Sequence, residues 1–179
     1  DLGWFNAQSL GGGMFRFGDG TGNSSPLVVI DIVSHEFTHA VTGTTAGLIY
    51  AGESGALNES YSDIFGTTVE FESIDDPDWI IGKGATALRS MSNPKDYGNP
   101  DTYAGQFWVD PQDIAFDNGG VHINSGLQNY WFYLLTEGGS GTNDDDFAYS
   151  VTGIGMDEAE AIAYRNLSVY LTQSSNFAA

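Results

Sequence analysis

Apolar residues recur at helical spacing from Val28 to about Thr44, and Gly43 offers a stop, so the pattern predicts a helix over 28–44. The stretch AGLIYAGESG reads as a connection. It leads into a second helix over about 55–72, which carries Leu57, Tyr61, Ile64, Phe65 and Val69 at spacings of three and four. LQNYWFYLL marks a buried third helix within 121–137. A fourth runs from Met156 to Leu171, with Asp157 and Glu158 at its positive end. The first 26 residues are rich in Gly, Asn and Ser and include the alternating piece MFRFGDG, which reads as strand and loop. Residues 72–120 are dense in Gly, Pro, Asp and Asn and read as loop with short turns; GGSGTNDDD reads as another loop. The expected class is α+β, mainly α, in one compact unit with a β-containing part over 1–27 and a helical lobe over 28–179.

Composition narrows the partners. The chain has 179 residues, 41% hydrophobic and 13% aromatic, enough for a core and unlike disordered sequence. PLVVIDIV, the longest apolar run, is broken by Asp31, so nothing predicts a bilayer span. A formal net charge of -19, from 24 acidic residues against 5 Lys and Arg, repels phosphate backbones and anionic membranes and suits hard cations. With no cysteine, a metal site must use nitrogen and oxygen ligands. No signal-peptide pattern opens the chain, as expected of a mature, processed form.

Against that background the segment DIVSHEFTHAVTG stands out. His35 and His39 are four apart, so on a helix both imidazoles reach one ion. Glu36 lies about 100° around the helix, off the ligand line but close enough to act on a water at the ion. The bland alternative is an amphipathic helix with surface histidines. A catalytic metal needs a third protein ligand and an open position. ALNESYSD supplies Glu59 as that ligand, with Asp63 one turn on and able to accept the free N–H of a ligating histidine. His122, in DNGGVHINSG, has Asp117 five residues before it. A histidine oriented by a carboxylate can be protonated near neutral pH and stabilise an oxyanion.

Together HEFTHAVT, AGLIYAGESGALNESYSDIFGT, LRSMSNP and DNGGVHINSG closely resemble, in order and spacing, blocks of the thermolysin family of zinc endopeptidases. The resemblance runs from Asn6 to LTQSSNF. It implies a zincin-type catalytic core, shortened at both ends, with one catalytic zinc held by His35, His39 and Glu59. Glu36 would be the general base, with Asp63 behind the ligands. His122, oriented by Asp117, and Tyr50 would hold the oxyanion. Arg89 would hold the substrate carbonyl, and Asn6 and Ala7 the substrate main chain. Leu88 and Ile32 would border the pocket for the residue after the scissile bond, which would be bulky and apolar. One structural calcium would be held by Asp31, Glu70, Asp78 and the Ile80 carbonyl. Where the family has further acidic ligands, this chain has Ile80 and Lys83, and Gln8 and Ser9 replace aromatic residues after the Asn-Ala pair. The implied protein is a secreted monomer acting on proteins or peptides. The rival readings are a non-catalytic zinc- and calcium-binding relic of such a peptidase, and a structural helical domain.

Overall fold

A computed structural model describes residues 3–22 and 24–178. The helical spacings become four helices: α1 (Ile30–Thr44), α2 (Gly52–Ser73), α3 (Asp117–Glu137) and α4 (Met156–Arg165). The strands are β1 (Ala7–Gly11), β2 (Met14–Phe17), β3 (Ile80–Ile81), β4 (Arg89–Ser90), β5 (Gly138–Thr142) and β6 (Ala148–Thr152). They pair as three separate two-stranded antiparallel sheets, β1–β2, β3–β4 and β5–β6. In the first, Ala7 faces Phe17 and Ser9 faces Phe15, and the register shifts between Ser9 and Gly11.

The central element is α2. It lies between α1 and α3 and packs extensively against both. Because it is covered on opposite sides, it buries polar as well as apolar residues, and its sequence has no clean apolar stripe. Tyr61 and Ile64 from α2 are fully buried with Phe132 of α3, Ile81 of β3, Met91 and Leu167. Gly66 sets the distance between α1 and α2: a Cβ there would come within 2.6 Å of the Asp31 carbonyl oxygen. The Asp31 carboxylate accepts hydrogen bonds from the backbone N–H of Ile32 (2.7 Å) and of Gly82, and it sits at the positive end of α1. This accounts for an acid inside an apolar run.

Two segments differ from the sequence-based expectation, and a third, the start of α3, agrees with it and adds a turn. The Gly-rich stretch expected as loop forms β5 and turns into β6, because extended backbone and a paired ladder need no large side chains. The fourth helix changes to a π-helical turn over Asn166–Tyr170. Within α3, Asn118, Gly119 and Gly120 are left-handed, so the regular helix starts after a kink. Gly120 has φ of 76°, and a Cβ there would meet Val109 at 2.6 Å, so this turn requires glycine.

Candidate metal centre and cleft

Helix α1 brings His35 and His39 together one turn apart, their Nε2 atoms 3.1 Å from each other. Each ring is fixed from behind. His35 Nδ1 lies 2.8 Å from Asp63 Oδ1, and His39 Nδ1 lies 2.7 Å from Asn58 Oδ1, with Ser62 Oγ also near at 3.1 Å. Asp63 Oδ1 and Asn58 Oδ1 can only accept, so both Nδ1 atoms carry the proton and both Nε2 lone pairs face the same point. Glu59 of α2 completes the set, with Oε2 3.4 Å from His35 Nε2 and Oε1 3.4 Å from His39 Nε2. These three residues bring ligand atoms to within 4.8 Å of one another, the one such group of three or more among the described residues.

The residues fit a divalent metal on their own chemistry. Two converging lone pairs repel unless a proton or a cation lies between them. Glu59 is 1% exposed, yet its Oε2 has no hydrogen-bond partner among the described residues, an expensive arrangement unless a cation takes it. Burial opposes a charge on His35, but its hydrogen bond to Asp63 and the neighbouring Glu59 carboxylate outweigh burial and push it up to about 10. Burial would also raise Glu59, but the two histidines hold it well below the usual carboxylate range. Without metal, a proton answers the same negative field.

Asp63 is the node behind the ligands. Besides His35 it accepts from Arg89 Nε (2.8 Å) and Nη2 (2.7 Å) and from Asn129 Nδ2 (2.8 Å). Burial works against its charge, but Arg89 and His35 hold it far below the normal range. Arg89 is thus bidentate to Asp63, and Nη1 is its one guanidinium nitrogen not bonded there. Asn58 and Asn129 escaped the sequence reading. Asn58 carried a usable signal, since it directly precedes Glu59 and lies on the α2 surface turned to α1; Asn129 carried none.

The cluster lines a cleft of about 620 Å³. One wall is β1 with Asn6, Ala7, Gln8 and Ser9; Ile32, Leu27 and Leu88 form an apolar part, and Arg89 lies beside it. Glu36 faces the cleft next to the histidines, and its carboxylate makes no hydrogen bond to another described residue. Opposite, Tyr50 donates to Glu59 Oε1 and lies 3.2 Å from His122 Nε2. Burial, then the Glu59 charge, raises the Tyr50 hydroxyl, which therefore stays a donor. His122 is fixed by Asp117, whose Oδ1 lies 2.6 Å from Nδ1 and whose Oδ2 accepts the His122 backbone N–H at 2.9 Å. Burial disfavours its charge, but Asp117 and Glu59 outweigh this and raise it.

Asp31, Glu70 and Asp78 interact electrostatically where α1, α2 and β3 meet, but their carboxylate oxygens do not converge within 4.8 Å as the His35, His39 and Glu59 ligand atoms do. Glu70 is pushed up to about 7 by burial and by the charges of Asp31 and Asp78. Asp78 Oδ1 accepts from the Ile80 backbone N–H at 2.7 Å, and its Oδ2 lies 2.6 Å from Lys83 Nζ. Lys83 thus supplies a positive charge at this group.

A helical lobe and a short hairpin flank a His-His-Glu cluster that could hold a metal ion. Two family models match: "Thermolysin metallopeptidase, catalytic domain" over residues 1–43 and "Thermolysin metallopeptidase, alpha-helical domain" over residues 46–179. The chain belongs to the thermolysin metallopeptidase family. Over 182 residues it is 47% identical to bacillolysin of Bacillus caldolyticus and to thermolysin of Alicyclobacillus acidocaldarius subsp. acidocaldarius, covering 97% of this chain and 32% of each relative. Neutral protease B of Bacillus subtilis (strain 168) is 43% identical over 183 residues. Among solved structures, the precursor of protealysin, a metalloproteinase from Serratia proteamaculans, matches with a TM-score of 0.73 and 33% identity, over 92% of this chain and 53% of that one. The chain spans about a third of the length of the relatives it matches. Among the described residues no helix is long and apolar enough to cross a membrane.

Proposed function

We propose that this chain carries the catalytic centre of a zinc endopeptidase. The observation that supports it best is the convergence of His35, His39 and Glu59, the two rings fixed from behind, beside a Glu36 carboxylate that no other described residue hydrogen-bonds. A zinc ion held by His35, His39 and Glu59 would polarise the scissile carbonyl and lower the pKa of water at the site. Glu36 takes the proton from the attacking water and passes it to the leaving amine. Tyr50, its hydroxyl turned from Glu59 to the substrate, and His122 in its protonated form donate hydrogen bonds to the oxyanion; Asp117 fixes the His122 ring at Nδ1 and supports its positive charge. Asn6 and Ala7 engage the substrate main chain along β1, and Arg89 the carbonyl beyond the scissile bond. Ile32 and Leu88 border an apolar pocket for the residue after that bond, so cleavage falls before bulky apolar residues.

The same proposal includes a structural calcium on Asp31, Glu70, Asp78 and the Ile80 carbonyl, because a cation there offsets the burial and the Asp31 and Asp78 charges that raise Glu70. It also includes action on proteins or peptides as a secreted monomer. A protein that only binds metal has no use for Glu36, nor for a His122–Asp117 pair facing the same cleft. The test is hydrolysis of a short apolar peptide with and without a zinc chelator. Chelator-sensitive cleavage is the expected result. Zinc binding without cleavage would instead establish the binding-only reading, and absence of zinc binding would overturn both.

A further inference from the structure

Asn129 has no part in the mechanism above, yet it is fully buried in α3 and both ends of its amide are engaged. Nδ2 donates to Asp63 Oδ2 at 2.8 Å, and Oδ1 accepts from Ser60 Oγ at 2.7 Å. The orientation is forced. An ionised Asp63 accepts only, so the amide must turn its nitrogen toward it, and the oxygen is left for the Ser60 hydroxyl to donate to. Ser60 is itself fully buried on α2, next to Glu59.

We infer that Asn129, oriented by Ser60, is a positioning residue for the metal ligands: it holds Asp63 in the rotation that presents Oδ1 to His35 Nδ1. A carboxylate has about four acceptor sites. Here all are filled, Oδ1 by His35 Nδ1 and Arg89 Nη2, Oδ2 by Arg89 Nε and Asn129 Nδ2. Arg89 alone grips both oxygens and would follow Asp63 if it tilted. Asn129 comes from a different helix and closes off that rotation. With Asp63 fixed, His35 keeps Nδ1 protonated and Nε2 turned to Glu59 and His39. Asn129 also lies seven residues after His122, on the same face of α3 two turns along. That face therefore contributes a cleft residue at its start and a brace for the ligand network further down.

The inference rests on the reading of His35 as a metal ligand, and the experiment separates the two. The zinc dissociation constants of wild type, Asn129→Leu, Ser60→Ala and the double variant are measured by competition with a chromogenic chelator. Thermal unfolding of the metal-free proteins is followed in parallel. Loss of a group that orients a ligand weakens metal binding by about 10–100-fold. Asn129 bonds Asp63 and not the ligand itself, so Asn129→Leu, close in volume, should fall at the lower end, about tenfold, and Ser60→Ala should weaken binding less. Ser60→Ala should have no further effect once Asn129 is gone, because its influence passes through that amide. If Asn129→Leu lowers the unfolding temperature but keeps a zinc dissociation constant within twofold of wild type, Asn129 is only a packing residue and the inference is overturned. Additive effects of the two substitutions on zinc binding would overturn it too. Should Asn129→Leu fail to fold, Ser60→Ala decides by itself: unchanged affinity refutes the inference, weakened affinity at unchanged unfolding temperature upholds it. A wild type that binds no zinc removes the metal reading itself, and the inference with it.

Discussion

Asp63→Asn is the sharpest perturbation of the network, because it removes one charge at nearly constant shape. Asp63 is fully buried, and Arg89, 9% exposed, has no other acidic partner at hydrogen-bond distance among the described residues. The substitution leaves a buried guanidinium uncompensated and sets an NH2 group against donors from Arg89, His35 or Asn129. Removing one partner of a buried ion pair costs about 3–5 kcal/mol. That is a large share of the roughly 5–15 kcal/mol that holds a domain folded. With a urea dependence of about 2 kcal/mol per molar, the unfolding midpoint should fall by about 1.5–2.5 M. The assay is urea unfolding followed by far-UV circular dichroism, with chelator present so that metal binding adds nothing to the difference.

Acid provides an independent reading of the same charge. Arg89 and His35 hold Asp63 below its unfolded value of about 3.9, so its contribution is present above pH 4 and is lost as pH falls further. Wild type should therefore destabilise more steeply than Asp63→Asn below pH 4, and the two curves should converge. A cost under about 1 kcal/mol at neutral pH would refute the argument, as would parallel acid curves.

Four further outcomes follow from the site. Glu36→Gln should keep its zinc while peptide turnover falls about 10²–10⁴-fold, the range for loss of a general base; substantial remaining turnover removes Glu36 from that role. His122→Ala should lower turnover far more than zinc content, and an unchanged rate would exclude it from oxyanion stabilisation. Because His35 is pushed up to about 10 in the metal-free chain, zinc binding at pH 7 should release about one proton, measured by calorimetry in buffers of different ionisation enthalpy; zero release contradicts the assignment. Glu70, pushed up to about 7, binds its proton more tightly folded than unfolded, so metal-free stability should fall as pH rises from about 4.5 to 7. Calcium should raise the unfolding temperature more at pH 8 than at pH 5; an equal effect would remove Glu70 from the calcium site.

The elements readable from sequence were those with a regular period. The spacings in α1 and α2 predicted both helices, and the four-residue steps from His35 to His39 and from Glu59 to Asp63 predicted which side chains share a face. Gly138–Thr142 was missed because a strand made mostly of glycine has no alternating side chains to read. The left-handed turn at Asn118–Gly120 was equally silent, although it fixes where α3 begins and so where His122 stands. Asn129 was beyond reach for another reason. Its neighbours on α3 spell an ordinary buried helix, and its partners Ser60 and Asp63 lie more than sixty residues away. A pairing of that kind exists only after α2 and α3 have packed.

Stability alone does not explain why α2 buries Asn58, Glu59, Ser60, Ser62 and Asp63 along one stretch. A buried ion pair such as Asp63–Arg89 can often be replaced by apolar residues of similar volume at no loss, and sometimes with a gain. Asp63→Leu combined with Arg89→Met should accordingly recover most of what Asp63→Asn loses. The same double variant would release His35 Nδ1 and remove the bidentate grip on the network, so it should bind zinc poorly however well it folds. Folding and metal binding would then part company in one protein. That outcome would account for the polar interior of α2 by the proposed metal ligands it aims, since an apolar interior would fold as well and hold nothing.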